Sequence, residues 1–150
     1  MALINLDDVI YRLRRDRRRC FVVTGRPREG KTRLAKQMAT RYGGHRLDLL
    51  ATFAEDSDLT TRVESFSPKD CQTLLQASLD GELLLADEME FLWHRWDDRE
   101  KREFLTLLKL WSHALVGVFL PADPIVQGFD MPDQDGQTRI FGLHELQNLG

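Results

Sequence analysis

Cysteine is scarce in this 150-residue chain: Cys20 and Cys71 are too few for a disulfide framework and have no metal-ligand spacing. The histidines, His45, His94, His113 and His144, are scattered and stand in no ligand spacing with cysteine, so no zinc site is expected. No apolar run approaches the roughly 20 residues of a membrane span, which argues against a spanning helix and a membrane partner. The opening residues, Met1-Ala2-Leu3-Ile4-Asn5-Leu6-Asp7-Asp8, carry early acids instead of the basic-then-apolar order of a secretory signal. A cytoplasmic protein is therefore expected. An excess of positive charge is missing too: the net charge is −3, so the chain as a whole is no basic nucleic-acid binder. What remains, 42% hydrophobic and 30% charged residues, is the composition of one globular domain with a real core.

The average charge hides an asymmetry. Arg12, Arg14, Arg15, Arg17, Arg18 and Arg19 crowd together just before the first apolar run. Leu3, Leu6, Ile10 and Leu13 recur at helical intervals ahead of and among them, so residues 3–18 read as an amphipathic helix. The expected organisation is a basic N-terminal helix, residues 1–19, packed on a domain formed by residues 20–150. Its arginines are either a solvated face or a contact for DNA or an acidic partner. Asp7, Asp8 and Asp16 interrupt the polar face and argue against a membrane-surface role.

Strand-like and helix-like segments alternate along the rest of the chain. Segments at residues 21–24, 46–50, 83–86, 115–120 and 139–143 read as five strands, of which 83–86 is wholly apolar. Helices are expected from Lys31 to about Arg41, from Ser67-Pro68 to about Leu79, and over residues 98–113. Residues 55–58 read as loop, and Pro121 as the stop of the fourth strand. This alternation predicts a three-layer α/β sandwich around a mainly parallel sheet.

Between the first strand and first helix lies Gly25-Arg26-Pro27-Arg28-Glu29-Gly30-Lys31-Thr32, which fits the phosphate-binding pattern G-x-x-x-x-G-K-[ST]. Glycines let the backbone curl until successive N–H groups face one anion, and the new helix adds its positive dipole end. Lys31 is expected to reach the β- and γ-phosphates of ATP, and Thr32 to place its hydroxyl on Mg²⁺, with Arg33 continuing the site. Guanine is disfavoured because Asn5 and Asn148 belong to no Asn-Lys-x-Asp motif. Arg26 and Arg28 flank Pro27 inside the loop, either touching phosphate or solvated.

A second chemical element follows the apolar strand Leu83-Leu84-Leu85-Ala86, which ends in Asp87-Glu88. An acid at the carboxyl end of a parallel strand sits where such sheets bind ligands. Asp87 is expected to share Mg²⁺ with Thr32, and Glu88 to orient the water that attacks the γ-phosphate, with Lys31 stabilising the charge. The tract Phe91-Leu92-Trp93-His94-Arg95-Trp96 is core packing or a partner-docking patch. A small-molecule kinase is a rival, disfavoured because residues 121–138 contain no arginine for a lid.

The loop at residues 25–32 and the Asp87-Glu88 pair together resemble the division of P-loop NTPases that includes the AAA+ ATPases, in which an extra strand lies beside the P-loop strand. That resemblance implies a sensor residue after the strand ending at Leu120, for which Asp123 is the nearest polar candidate. It also implies an arginine finger acting between subunits of a homo-oligomer, for which Arg139 is the candidate, with Arg95, Arg99 and Arg102 as others. The sequence given ends soon after the fifth strand, so the core is expected to lack the helical lid. Short length and motif placement resemble BrxF, the small P-loop family of type III BREX phage-defence systems. This implies an ATPase switch or motor part among other defence proteins, with DNA nearby. A non-hydrolysing, nucleotide-gated binding module and an AAA+ helper of DNA transposition are the alternatives.

Overall fold

A computed structural model describes residues 3–149; Met1, Ala2 and Gly150 of the expected segments lie outside the described residues. Five strands form one sheet in which every pairing is parallel: β1 (Cys20–Gly25), β2 (His45–Asp48), β3 (Leu83–Asp87), β4 (Leu115–Pro121) and β5 (Ile140–Gly142). Their spatial order is β2-β3-β4-β1-β5, so β4 lies between β1 and β3. Among the described residues there are eight α-helices: α1 (Leu6–Leu13), α2 (Lys31–Tyr42), α3 (Leu49–Glu55), α4 (Ser57–Arg62), α5 (Pro68–Ala77), α6 (Glu90–Trp93), α7 (Asp98–Lys109) and α8 (Pro124–Gln127).

Side chains alternate across the strands, and this divides the core in two. Phe21, Val23, Leu83, Leu85, Leu115 and Phe119 pack with α1 and α2 on one face. Val22, Leu84, Ala86, Val116, Val118 and Leu120 pack with α3 to α8 on the other. Residues of β1, β3 and β4 are buried throughout, as sheet strands covered on both faces must be. The result is an α/β fold in three layers. Gly117 of β4 faces Phe21 of β1, whose ring fills the space a side chain would need.

Several boundaries differ from the sequence reading. The basic helix is shorter than residues 3–18. Asn5 caps its start by accepting from Asp7 N–H, and it stops at Leu13 because the chain turns at Asp16. The Asp16 carboxylate is buried and accepts from the backbone N–H groups of Arg18 and Gln134. Leu49 and Leu50 leave the second strand for α3, because the Asp48 side chain caps a helix there by accepting from Ala51 N–H. Asp56 does the same for α4, which occupies part of the expected loop at residues 55–58. The helix expected over residues 98–113 ends at Lys109, and Pro121 is the last residue of β4 instead of its stop. The fifth strand keeps only Ile140–Gly142 of residues 139–143.

Candidate functional site

The turn from β1 into α2 is built on left-handed backbone. Gly30 has φ 109° and Arg28 φ 67°, and no side chain caps the start of α2. The first N–H groups of a helix without a side-chain cap are donors for an anion. The Glu29 carboxylate folds back onto Arg26 N–H, and Glu29 N–H onto Arg26 O at 3.2 Å, which closes the loop on itself. The side chains of Arg26, Arg28 and Arg33 are exposed.

Lys31 is 7% exposed, and its ammonium is held at the mouth of this loop. Its Nζ donates to Gly25 O at 2.6 Å and to Arg26 O at 3.3 Å, and lies 3.3 Å from Glu90 Oε1. The next residue, Thr32, donates its hydroxyl to Glu88 Oε1 at 3.0 Å. Glu88 makes that contact from the left-handed region, with φ 59°. A non-glycine residue there costs on the order of 1 kcal/mol, a strain that concentrates at functional positions. The turn after β3 thus aims Glu88 back at the α2 terminus.

Asp87, the last residue of β3, is 2% exposed. Arg46 on the adjacent β2 reaches its Oδ2 with Nε at 3.2 Å and Nη2 at 3.0 Å, leaving Oδ1 outside that pair. The two neighbouring parallel strands, with Asp48 opposite Asp87, bring these groups together. Lys31, Thr32, Asp87, Glu88, Glu90 and His94 therefore share one cleft of about 500 Å³ with the loop. Among the described residues no group of three His, Cys, Asp or Glu could hold a metal ion by itself. A magnesium ion here would take the Thr32 hydroxyl and a carboxylate, with phosphate and water supplying the other oxygens.

Sequence reasoning missed Arg46, Glu90 and His94. Glu90 carried a signal, since an acid two residues after Asp87-Glu88 returns to the same cleft once α6 begins. Arg46 carried none, because its role depends on which strand lies next to β3.

The remaining candidate residues do not line this cleft. Arg139 is 1% exposed, and its guanidinium donates to Pro132 O, Cys20 O and Lys109 O, each at 3.0 Å. A side chain spent on internal carbonyls is not presented to a neighbouring subunit, which counts against Arg139 as an arginine finger. Arg95, Arg99 and Arg102 are exposed. Asp123 caps α8 through Ile125 N–H and accepts from Trp93 Nε1 at 2.9 Å, and it does not line the cleft. Burial alone would raise its pKa, yet the Trp93 and Ile125 hydrogen bonds, helped by Lys101, hold it below the ordinary value. Trp93 and Trp96 are buried, with Trp96 Nε1 donating to Phe66 O at 2.8 Å, so the tryptophans form core and not a docking patch.

Most arginines of the N-terminal cluster make contacts of their own within the chain. Arg12 bonds Gln137 and lies 3.6 Å from Asp133; Arg14 donates to Tyr42 O, Arg18 to Leu110 O and Arg19 to Asp16 O. Arg15 stacks over Tyr11, and Arg17 is exposed. Both cysteines are free and buried, and burial pushes the Cys20 thiol up to about 12 and that of Cys71 higher still. No described helix is long and apolar enough to cross a membrane. Compared with protein-family models, with curated proteins and with solved structures, the chain matches none.

Proposed function

We propose that this chain is a P-loop NTPase that binds ATP with Mg²⁺ and hydrolyses it slowly. The observation that carries the reading is one cleft that joins an uncapped helix start, the Lys31 ammonium and the Thr32–Glu88 pair. The order β2-β3-β4-β1-β5, with a strand between the loop-bearing and acid-bearing strands, supports an AAA+-like core.

In this reading the loop N–H groups and Lys31 hold the phosphates and neutralise charge that builds on them during transfer. The Thr32 hydroxyl and the Asp87 carboxylate would hold a magnesium ion, which would supply further charge neutralisation. Arg46 fixes the other Asp87 oxygen and so sets the carboxylate's orientation. Glu88 exchanges Thr32 for a water molecule and aligns it on the γ-phosphate. Glu90 is the counter-ion that Lys31 gives up as phosphate arrives. With Arg139 spent inside the fold, we assign the trans-acting cation of an oligomer to Arg95, Arg99 or Arg102. The setting we propose is an assembly of bacterial phage defence.

The test is ATP turnover per monomer over a wide range of protein concentrations, with Lys31→Ala as the blank. Turnover above the blank that climbs with concentration supports an oligomeric ATPase. Nucleotide binding that survives Lys31→Ala overturns the site.

A further inference from the structure

The residues that precede β1, β3 and β4 meet at the end of the sheet away from the loop of residues 25–32, because these strands run parallel. Arg19, Gly81, Glu82, Ala114 and Leu115 line a cavity of about 280 Å³ there, and Arg14 completes it. Arg14 also lines a groove of about 410 Å³ along α1, with Ile10, Tyr11, Arg15 and Tyr42. Cavity and groove therefore meet at Arg14.

The arginines at this end are held in place without being neutralised. Arg14 Nη2 donates to Tyr42 O at 3.2 Å, Arg18 Nη1 to Leu110 O at 2.7 Å and Arg19 Nε to Asp16 O at 2.9 Å. A carbonyl oxygen fixes a guanidinium but leaves its charge and its other donors for an anion. Among the described residues only Arg12 of the cluster pairs with a carboxylate, that of Asp133. The Asp16 carboxylate in their midst is buried and accepts from the backbone N–H groups of Arg18 and Gln134. The backbone of Arg19 is pinned as well: its N–H donates to Trp111 O at 3.0 Å, and its O accepts from Val116 N–H at 2.9 Å. Along the groove Arg15 lies over the Tyr11 ring, 4.1 Å from its centroid, and Tyr11 is still 58% exposed.

We propose that this surface binds single-stranded DNA, with a backbone phosphate between Arg14 and Arg19 and a base stacked on Tyr11. The inference is independent of nucleotide binding at residues 25–32. Fixed guanidiniums without carboxylate partners attract a phosphate backbone, and their planar forks suit its oxygens. The exposed ring beside them adds a stacking surface that bases reach only when unpaired, which selects single strands over a duplex. An acidic peptide would answer the charge alone and leave the ring without a stacked partner. The groove's one carboxylate, that of Asp7, accepts from Arg41 Nε at 3.0 Å, Arg41 Nη2 at 2.9 Å and the Tyr42 hydroxyl at 2.6 Å. It is not offered to a ribose 2′-hydroxyl, which favours DNA over RNA. Glu82 is the one acid lining the cavity; it is exposed, and it opposes a phosphate there.

The test is fluorescence anisotropy of a labelled oligothymidylate titrated with the whole chain at several salt concentrations. A DNA duplex, oligouridylate and polyglutamate serve as competitors. Affinity is expected to fall as salt rises, with a log–log slope of about −0.7 for each phosphate contacted. Tyr11→Ala should weaken binding roughly fivefold or more, as the loss of one stacked base does, and leave the slope unchanged. Arg14→Gln with Arg19→Gln should weaken binding and flatten the slope by about 0.7. Glu82→Gln should tighten binding severalfold, a gain that a folding defect cannot imitate, and thermal melts report that the weakened variants fold. No binding, an affinity indifferent to salt, or one untouched by Tyr11→Ala or by Glu82→Gln would each overturn the site. So would stronger competition from the duplex, from oligouridylate or from polyglutamate, which would assign the surface to paired DNA, to RNA or to an acidic protein segment.

Discussion

Replacing Arg139 by methionine should cost stability and spare the proposed nucleotide site. The guanidinium ties together the start of β1 at Cys20, the end of α7 at Lys109 and the loop at Pro132. Methionine keeps much of the buried volume but strands three carbonyls and removes the cation near Asp16 and Asp133. Each stranded buried acceptor costs about 1–3 kcal/mol, and breaking a buried charged network costs about 3–5 kcal/mol. The second figure is the better guide here, because the side chain is 1% exposed and its contacts act together. For a domain of this size 1 kcal/mol moves the melting temperature by about 2–4 °C, so the expected fall is roughly 6–20 °C. Thermal melts followed by far-ultraviolet circular dichroism read this directly. ATP binding measured well below the transition should be unchanged. Arg139→Lys should fall between the two, since an ammonium cannot reach all three carbonyls. A melting temperature within about 2 °C of the unaltered chain, with turnover lost, would refute the internal role and restore the arginine finger.

Other consequences are equally open to measurement. Gly117→Ala would set a Cβ 2.3 Å from Phe21 Cζ, and should lower stability by about 1–3 kcal/mol in urea unfolding; an unchanged midpoint contradicts that packing. Glu90→Gln removes the carboxylate 3.3 Å from Lys31 Nζ and should tighten triphosphate binding severalfold, more so at low salt; weaker binding would mean that Glu90 supports the site. Glu88→Gln should keep ATP binding and abolish turnover, and retained hydrolysis would remove Glu88 from the mechanism. Asp7, hydrogen-bonded by Arg41 and Tyr42, is lowered from 3.8 to about 2. A depressed carboxyl lends stability that is complete above its unfolded pKa and lost as pH falls through the folded one. Its carboxyl carbon should accordingly titrate near pH 2 by NMR, and a midpoint at the ordinary value would dissolve the link between α1 and α2.

The parts of the fold legible in sequence were those decided locally. Residues 21–23 and 83–86 are apolar without interruption, and only a strand covered on both faces tolerates that. Gly43, at φ 68°, and the reciprocal Ser67–Asp70 cap mark helix ends by their own backbone demands. The eight-residue loop needs only its glycines and the lysine to be recognised. What stayed hidden depended on distant partners. Asp16 reads as one more polar residue of a helix until Gln134 meets it and turns the chain. Leu49 and Leu50 suit a strand as well as a helix, and the Asp48 cap decides. Arg139 resembles a surface arginine because the carbonyls that bury it come from three separate segments. Arg46 enters the site only through strand order, which no local pattern encodes.

That strand order also bears on how the chain comes to be folded. Among the described residues β1, the first of the five strands, pairs with β4 and β5, the two that come latest in sequence order. During synthesis β2 and β3 can pair as neighbours while β1 still lacks both of its flanks. The loop of residues 25–32 follows directly from the end of β1. Closing so long a span of chain is slow. On the proposed reading, a ribosome-bound fragment that stops before β4 has all eight residues of the loop without the strands that flank β1, and nucleotide would stabilise the chain only once β4 and β5 have joined.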